Sequence, residues 1–380
     1  MTSNTHQGPN YSLRQARLAT QMAAANLKLL AFNPSPSLTY LTGLHFHLSE
    51  RPVIALFSPH TPPILVMPEL ESLKAKSLPF PVQVFLYGED PNSWQSVFRQ
   101  AVMAAQGDGS DIGVEPTHLR YLELNLLQGA APEARFYPAD QVVANLRMRK
   151  DEFEVECMRQ AVVIAQKALE ATIPSIKAGV TEKQIASELT INLFRAGSDP
   201  EFPFTPIVSG GPNSANPHAS PSERVLASGD LLVIDWGAMF KGYASDLTRT
   251  FAIGEIEPEF KQIAEIVLQA NTAARKSAKP NLTANEVDQA AREVIEQAGY
   301  GRFFIHRTGH GLGMEAHEPP YIRSGNHLIL DQGMTFTIEP GIYLPDRGGV
   351  RIEDDMVIVA DQAESLSTFP RELLDRKSVV

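Results

Sequence analysis

Four acids, Asp235, Asp246, Glu339 and Glu353, are spaced so that strand pairing could bring them together. The run LLVIDWGAMFKGYASDLTRTF (Leu231–Phe251) has two apolar, β-prone segments around a turn with Gly237 and Gly242, which reads as a β-hairpin. With its turn centred between Phe240 and Lys241, Asp235 faces Asp246. Directly opposed Cβ atoms lie ~4.5–5.5 Å apart, and like charges there repel. A second run, MTFTIEPGIYLPDRGGVRIEDDMVIV from Met334, folds back about Asp346 and sets Glu339 against Glu353. Each pair asks for a cation. Between the hairpins lies FIHRTGHGLGMEAHEPP, with His306, His310 and His317. Gly309, Gly311 and Gly313 let backbone approach a site closely and favour His310 as a ligand. Four carboxylates and one imidazole suit two divalent cations such as Mn²⁺, Co²⁺, Zn²⁺ or Fe²⁺, whose charge balances the four acids. Magnesium alone fits less well, because it keeps several waters and oxygen ligands. Two such ions clamp and acidify a water between them.

The elements that must position these groups fall in the second part of the chain. The 380 residues, 43% hydrophobic, predict two globular domains. A net charge of −11 argues against nucleic-acid and anionic-membrane partners. There is no run of ~18 apolar residues for a membrane span and no apolar segment near the polar N-terminus for a secretory signal. The single cysteine, Cys157, excludes an internal disulfide and fits a reducing cytosol, so a cytoplasmic location is expected. Cys157 lies in the charged helical stretch DEFEVECMRQ and reads as structural. From Ser12 to about Asn145, strand-like and helical runs alternate as in a small α/β domain. Its connection GLHFHLSERP (Gly43–Pro52) is rich in polar and ring side chains, either for the surface or for a site in a neighbouring domain or subunit. Basic Arg147, Arg149 and Lys150 give way to Asp151, Glu152 and Glu154, which open a helix to about Thr172 and put the boundary between domains 1–146 and 147–380. Thr181 with Gln184 and Thr283 with Glu286 are capping boxes, and Gly299 stands where a helix-ending glycine belongs.

The constellation resembles the pita-bread metallopeptidases, peptidase family M24, in the Xaa-Pro dipeptidase (prolidase) and aminopeptidase P branch. FTPIVSGGPNSANPHASP, VIDWGAMFKGYASDLTRTF, HRTGHGLGMEAHEPP, TIEPGIY and GVRIEDD carry the resemblance, in the family's order. It implies an α+β protein: a small α/β N-terminal domain and a catalytic pita-bread domain, whose pseudo-twofold antiparallel sheet is flanked by helices. It implies Asp235 and Asp246 as metal ligands with Asp246 bridging, His310 and Glu339 on the second ion, and Glu353 bridging. His218 then stabilises the developing oxyanion, His306 moves a proton toward the leaving amine, and His317 contacts the substrate carbonyl. Either Glu339 or Glu353 serves as general base, while Tyr343 and Arg351 orient the ligands. Arg351, two residues before Glu353, shares its strand face.

The expected substrates are short peptides with proline second, cleaved with manganese foremost among the cations, by a homodimer whose N-terminal domain dimerises and supplies an active-site loop. Xaa-Pro bonds are tertiary amides without an N–H to grip, so a ring slot is needed, with Phe204, Ile207 and the Gly43–Arg51 loop as candidates. Aminopeptidase P action on longer peptides remains an alternative. A creatinase-like amidinohydrolase and a non-catalytic scaffold are disfavoured by the complete ligand set. One departure stands out: archaeal-type prolidases carry an arginine four residues after the counterpart of His317, to hold the dipeptide carboxylate. Tyr321 occupies that place here, leaving Arg323, Arg347 or Arg51 as substitutes.

Overall fold

The structure is a computed structural model that describes residues 8–107 and 109–376. The chain divides into two compact units, Met1–Arg147 and Met148–Val380. In the first, strands β1 (Leu29–Phe32), β2 (Ile54–Ser58), β3 (Thr61–Pro68), β4 (Gln83–Tyr87), β5 (Ile112–Val114) and β6 (Phe136–Pro138) form one sheet in the order β4-β3-β2-β1-β5-β6. Helices α1 (Tyr11–Ala24), α2 (Pro36–Thr42), α3 (Ser72–Lys76), α4 (Trp94–Ala104), α5 (Tyr121–Ala130) and α6 (Asp140–Arg147) alternate with them. Alternate strand residues, among them Leu29, Ala31, Ile54, Leu56, Ile64 and Val66, join Phe98, Val102 and Leu127 of the helices in one core. Pro36 opens α2: it sits in the first turn, behind Ser35, whose hydroxyl accepts from Leu38 N.

The second unit repeats one pattern twice, a helix pair followed by a set of antiparallel strands. In the first half, α7 (Glu152–Thr172) and α8 (Glu182–Ala196) precede β7 (Ile207–Gly210), β8 (Leu231–Trp236), the small ladder β9 (Met239–Phe240) with β10 (Tyr243–Ala244), and β11 (Leu247–Ile253). In the second, α9 (Pro258–Ser277) and α10 (Ala284–Gln297) precede β12 (Gly309–Gly311), β13 (Glu318–Ile322), β14 (Thr335–Ile338), β15 (Gly341–Leu344), β16 (Gly348–Arg351) and β17 (Asp354–Ile358). Strands β18 (Ala363–Ser365) and β19 (Leu374–Arg376) complete sheets of order β13-β12-β14-β17-β18 and β19-β11-β8-β7. Capping boxes start α7 at Asp151, α8 at Thr181 and α10 at Thr283, and Gly299, at φ 85°, follows the end of α10. The halves match in detail. Thr181 bridges Val225 as Thr283 bridges Ile329, and Leu226 N donates to Val180 O as Leu330 N donates to Leu282 O. This is the expected pseudo-twofold arrangement. Among the described residues no helix is long and apolar enough to cross a membrane.

Where the halves meet, Thr248 and Glu353 form an antiparallel bridge, with Glu353 N donating to Thr248 O at 3.1 Å. The buried Arg249 stitches the seam, donating to the Glu353 carbonyl at 2.7 Å and to Asp354 Oδ1 at 2.8 Å. Trp236, fully buried, donates its indole N–H to Ala165 O and so fixes the end of β8 against α7.

The first hairpin corrects the register expected from sequence. Its two-residue turn is Lys241–Gly242, with φ 51° and 78°, the pair of positive values that a type I′ turn requires. The centre therefore lies one residue later than assumed, and Asp235 pairs with Thr248 rather than Asp246. Asp246, two residues from Thr248, stays on the face that Asp235 occupies. The second hairpin has the expected register. Both β15–β16 and β14–β17 fold about Asp346 (φ 60°), and Glu339 and Glu353 sit at the junction of those ladders.

Candidate metal centre

Pairing sets Asp235 beside Thr248, Thr248 beside Glu353, and Glu353 across from Glu339, a row that crosses both halves of the unit. Asp246 enters the row from β11's approach, with its backbone N–H donating to Asp355 Oδ2 at 3.0 Å. His310 comes from β12, where Gly309 and Gly311 serve the neighbouring strands rather than a ligand. A Cβ on Gly309 would lie 1.9 Å from Thr337 O, and one on Gly311 2.3 Å from Pro319 O. Buried Asp288 of α10 accepts from Thr308 N and Oγ1, and Thr308 O accepts from Glu339 N at 2.7 Å. One helical carboxylate thereby ties the His310 strand to Glu339.

The donor atoms converge. Asp246, His310 and Glu353, all buried, offer ligand atoms within 4.8 Å of one another. His310 Nε2 lies 3.7 Å from Asp246 Oδ2 and 3.4 Å from Glu339 Oε1. These are not ion pairs, because burial, with His317 and Arg307 nearby, holds the His310 imidazole well below its usual range. Its Nδ1 faces Gly311 O at 3.2 Å, and since a carbonyl only accepts, Nδ1 carries the proton and the Nε2 lone pair points at the acids.

Burial pushes Asp246 well above the usual carboxylate range, reinforced by Glu353, Asp235, Asp355 and Glu339. Glu353 is raised well above by burial and then by Glu339 and Asp235. Glu339 is raised by burial to about 7. Burial also raises Asp235, opposed by Arg351, whose Nη2 donates to Asp235 Oδ2 at 2.6 Å. The other oxygen, Asp235 Oδ1, is buried and has no hydrogen-bond partner among the described residues. Crowded acids, an orphaned carboxylate oxygen and a lone pair aimed among them are the donor set that a divalent cation requires. The five residues fit divalent cations.

A relay borders the cluster. Arg351 also donates to Thr248 Oγ1 at 3.1 Å and to the Tyr343 hydroxyl at 2.9 Å. That hydroxyl lies 2.8 Å from His306 Nε2, while His306 Nδ1 lies 2.7 Å from Arg307 O. Nδ1 therefore donates to the carbonyl and Nε2 accepts from Tyr343. Burial lowers the His306 pKa to about 3, so the ring is neutral. His317 sets its ring at 85° to that of His310, 4.1 Å between centroids, and is itself exposed. His218, also exposed, sits close enough for its charge to act on Asp235, His306 and His317. Of the slot candidates, Ile207 pairs with Asp235 and Phe204 precedes β7, half-buried.

Sequence reasoning missed Thr248, Asp355 and Arg307. Asp355 could have been found: it stands two residues after Glu353 in the acidic run and shares its face. A strand threonine carries no such signal.

The pattern of Metallopeptidase family M24 matches residues 156–360, and that of the Creatinase/Prolidase N-terminal domain matches residues 14–149. An Xaa-Pro dipeptidase of Lactobacillus delbrueckii subsp. lactis is 35% identical over 347 residues, 90% of this chain and 94% of the relative. The crystal structure of a dipeptidase from Pyrococcus horikoshii OT3 superposes with a TM-score of 0.90 at 36% identity, covering 96% of this chain and all (100%) of that one. A prolidase from Thermococcus sibiricus gives 0.91 at 32% identity, covering 97% and 100%. With its carboxylate and histidine cluster inside the matched region, the chain belongs to metallopeptidase family M24.

Proposed function

We propose that the protein is an Xaa-Pro dipeptidase, hydrolysing the bond before proline in dipeptides with two divalent ions, manganese foremost, held by Asp235, Asp246, His310, Glu339 and Glu353. The observation that carries this is the convergence of buried acids on the neutral His310. The Xaa-Pro dipeptidase and prolidase among its relatives supply the substrate class. Divalent ions bound there supply Lewis acidity, making water a nucleophile at neutral pH and drawing charge from a carbonyl oxygen.

The chain's own groups do the rest. Asp246 and Glu353 would be shared by the two ions, and the Glu339 carboxylate takes the proton of the attacking water. Arg351 holds Asp235 and the Tyr343 hydroxyl in place. The proton that Glu339 takes from the water goes on to the prolyl nitrogen, which has no N–H of its own and leaves as an amine, with the His306 Nε2–Tyr343 hydroxyl pair relaying it. His218 and His317, exposed at the edge of the cluster, donate to the carbonyl oxygen as it gathers charge. We further propose a cytoplasmic homodimer in which residues 1–146 carry the dimer contacts.

One observation favours a second reading. Tyr321 stands where a carboxylate-holding arginine is expected, which suits an aminopeptidase P acting on longer peptides. After chelation, the enzyme is given Mn²⁺, Co²⁺ or Zn²⁺ and either Leu-Pro or Leu-Pro-Gly. Metal-restored cleavage of Leu-Pro is the expected result. Cleavage of the tripeptide alone establishes the second reading, and cleavage of neither removes both.

A further inference from the structure

A dipeptide ends in a carboxylate one residue beyond the scissile bond, so selecting dipeptides calls for a cation at that distance from the ligand cluster. Most candidate cations are committed. Arg351 is buried against Asp235, Thr248 and Tyr343. Arg347 is held by Glu257 at 2.6 Å and Glu259 at 2.7 Å, and Arg51 by Glu50 at 2.6 Å and Glu89 at 2.9 Å. Arg323 turns to the carbonyl of Ser324 beside it. The three substitutes that the sequence nominates are thus engaged elsewhere.

Arg307 differs. It is half-buried, and among the described residues its guanidinium has neither a carboxylate nor a hydrogen-bond acceptor. Its central carbon lies 4.7 Å from the centre of the Tyr321 ring. Tyr321 pairs with His310 across β12 and β13, so the stack puts the guanidinium on the face that His310 presents to the acids. There its charge acts on His310, His317 and Glu339 together. Stacking uses the flat side of a guanidinium and leaves its edge, a fork of N–H donors matched to two carboxylate oxygens.

We propose that Arg307, set over the Tyr321 ring, binds the substrate's terminal carboxylate and so selects dipeptides. The aromatic residue at 321 becomes the platform for the cation instead of its loss. This rests on the Xaa-Pro dipeptidase reading above. Each added residue moves the carboxylate up to ~3.3–3.6 Å further along an extended chain, out of reach of a fixed fork.

The test compares kcat and KM for Leu-Pro and its amide, Leu-Pro-NH₂, in the manganese-loaded wild type and in Arg307→Gln, Arg307→Lys and Tyr321→Phe. The wild type is expected to favour the acid by about 10- to 100-fold in kcat/KM, carried by KM, the scale of a hydrogen bond to a charged group. Arg307→Gln brings that ratio toward one, Arg307→Lys keeps part of it, and Tyr321→Phe keeps most of it because the ring suffices for stacking. The readout is a ratio within one preparation, so a poorly folded variant lowers both rates and leaves the ratio interpretable. An undiminished acid preference in Arg307→Gln overturns the assignment, as does a wild type indifferent to the amide. A wild type that cleaves neither substrate with any metal overturns the Xaa-Pro reading itself.

Discussion

At His310 a lone pair is held 3.4 Å from one carboxylate oxygen and 3.7 Å from another, and burial has taken away the proton that would make the contact attractive. A cation supplies what the polypeptide withholds. Asp246→Asn exchanges an anionic oxygen for an amide at the middle of the cluster, so bound metal and hydrolysis are expected to fall together, read by elemental analysis and by Leu-Pro turnover. Full activity in that variant would sink the site. His306→Ala acts differently, because His306 touches Tyr343 and not the acids: metal content is retained while kcat drops by ~10²–10⁴-fold, the usual cost of lost proton transfer. Glu339 and Glu353 were legible as a facing pair because their hairpin keeps the register read from the sequence, whereas Asp235 and Asp246 were paired one residue out of register and share a face rather than a rung. Arg307 was not legible, since its meaning depends on a ring fourteen positions away that only β12–β13 pairing brings beneath it.

Among the elements, hairpin registers decide which side chains meet, and glycines decide how closely strands do. The second register was readable, because Asp346 marks the centre of both its ladders. The first was not, because the two positive-φ turn positions fall to a lysine and a glycine, and only the glycine announces itself. Helix starts were read well, since capping boxes are local chemistry that needs no tertiary knowledge. Gly309 has a different kind of necessity. A methyl there would meet Thr337 O and force β12 from β14, carrying His310 away from Glu339. Gly309→Ala is expected to cost on the order of 4 kcal/mol and to lower the melting temperature by roughly 10 °C, measured by calorimetry. Loss of metal affinity should accompany it; an alanine variant that melts and binds metal like the wild type contradicts the packing described.

Taken whole, the second unit concentrates like charge in its interior and is therefore incomplete without cations. Glu339 titrates near 7 in the fold, above the ordinary 4.5, so between those values the folded chain holds more protons than the unfolded one and metal-free stability falls as pH rises. The melting-temperature gain on adding Mn²⁺ is accordingly expected to grow from pH 5 to pH 8. Equal gains at both would speak against acids as the ligands. The repeat of the two halves was expected from the family resemblance and not from residue identity, because it keeps backbone pattern and not residue type: Asp235 matches Glu339, Thr248 matches Glu353, and Val225 matches Ile329. The Thr248–Glu353 bridge, across 105 residues, has a kinetic consequence. Contacts so distant in the chain close late, after each half has formed its own local pairings. Ions that require both sides of that seam have nothing to bind in the folding transition state. Manganese should therefore leave the refolding rate nearly unchanged and slow unfolding instead, so that the metal acts as a latch on the finished molecule and not as a template for making it.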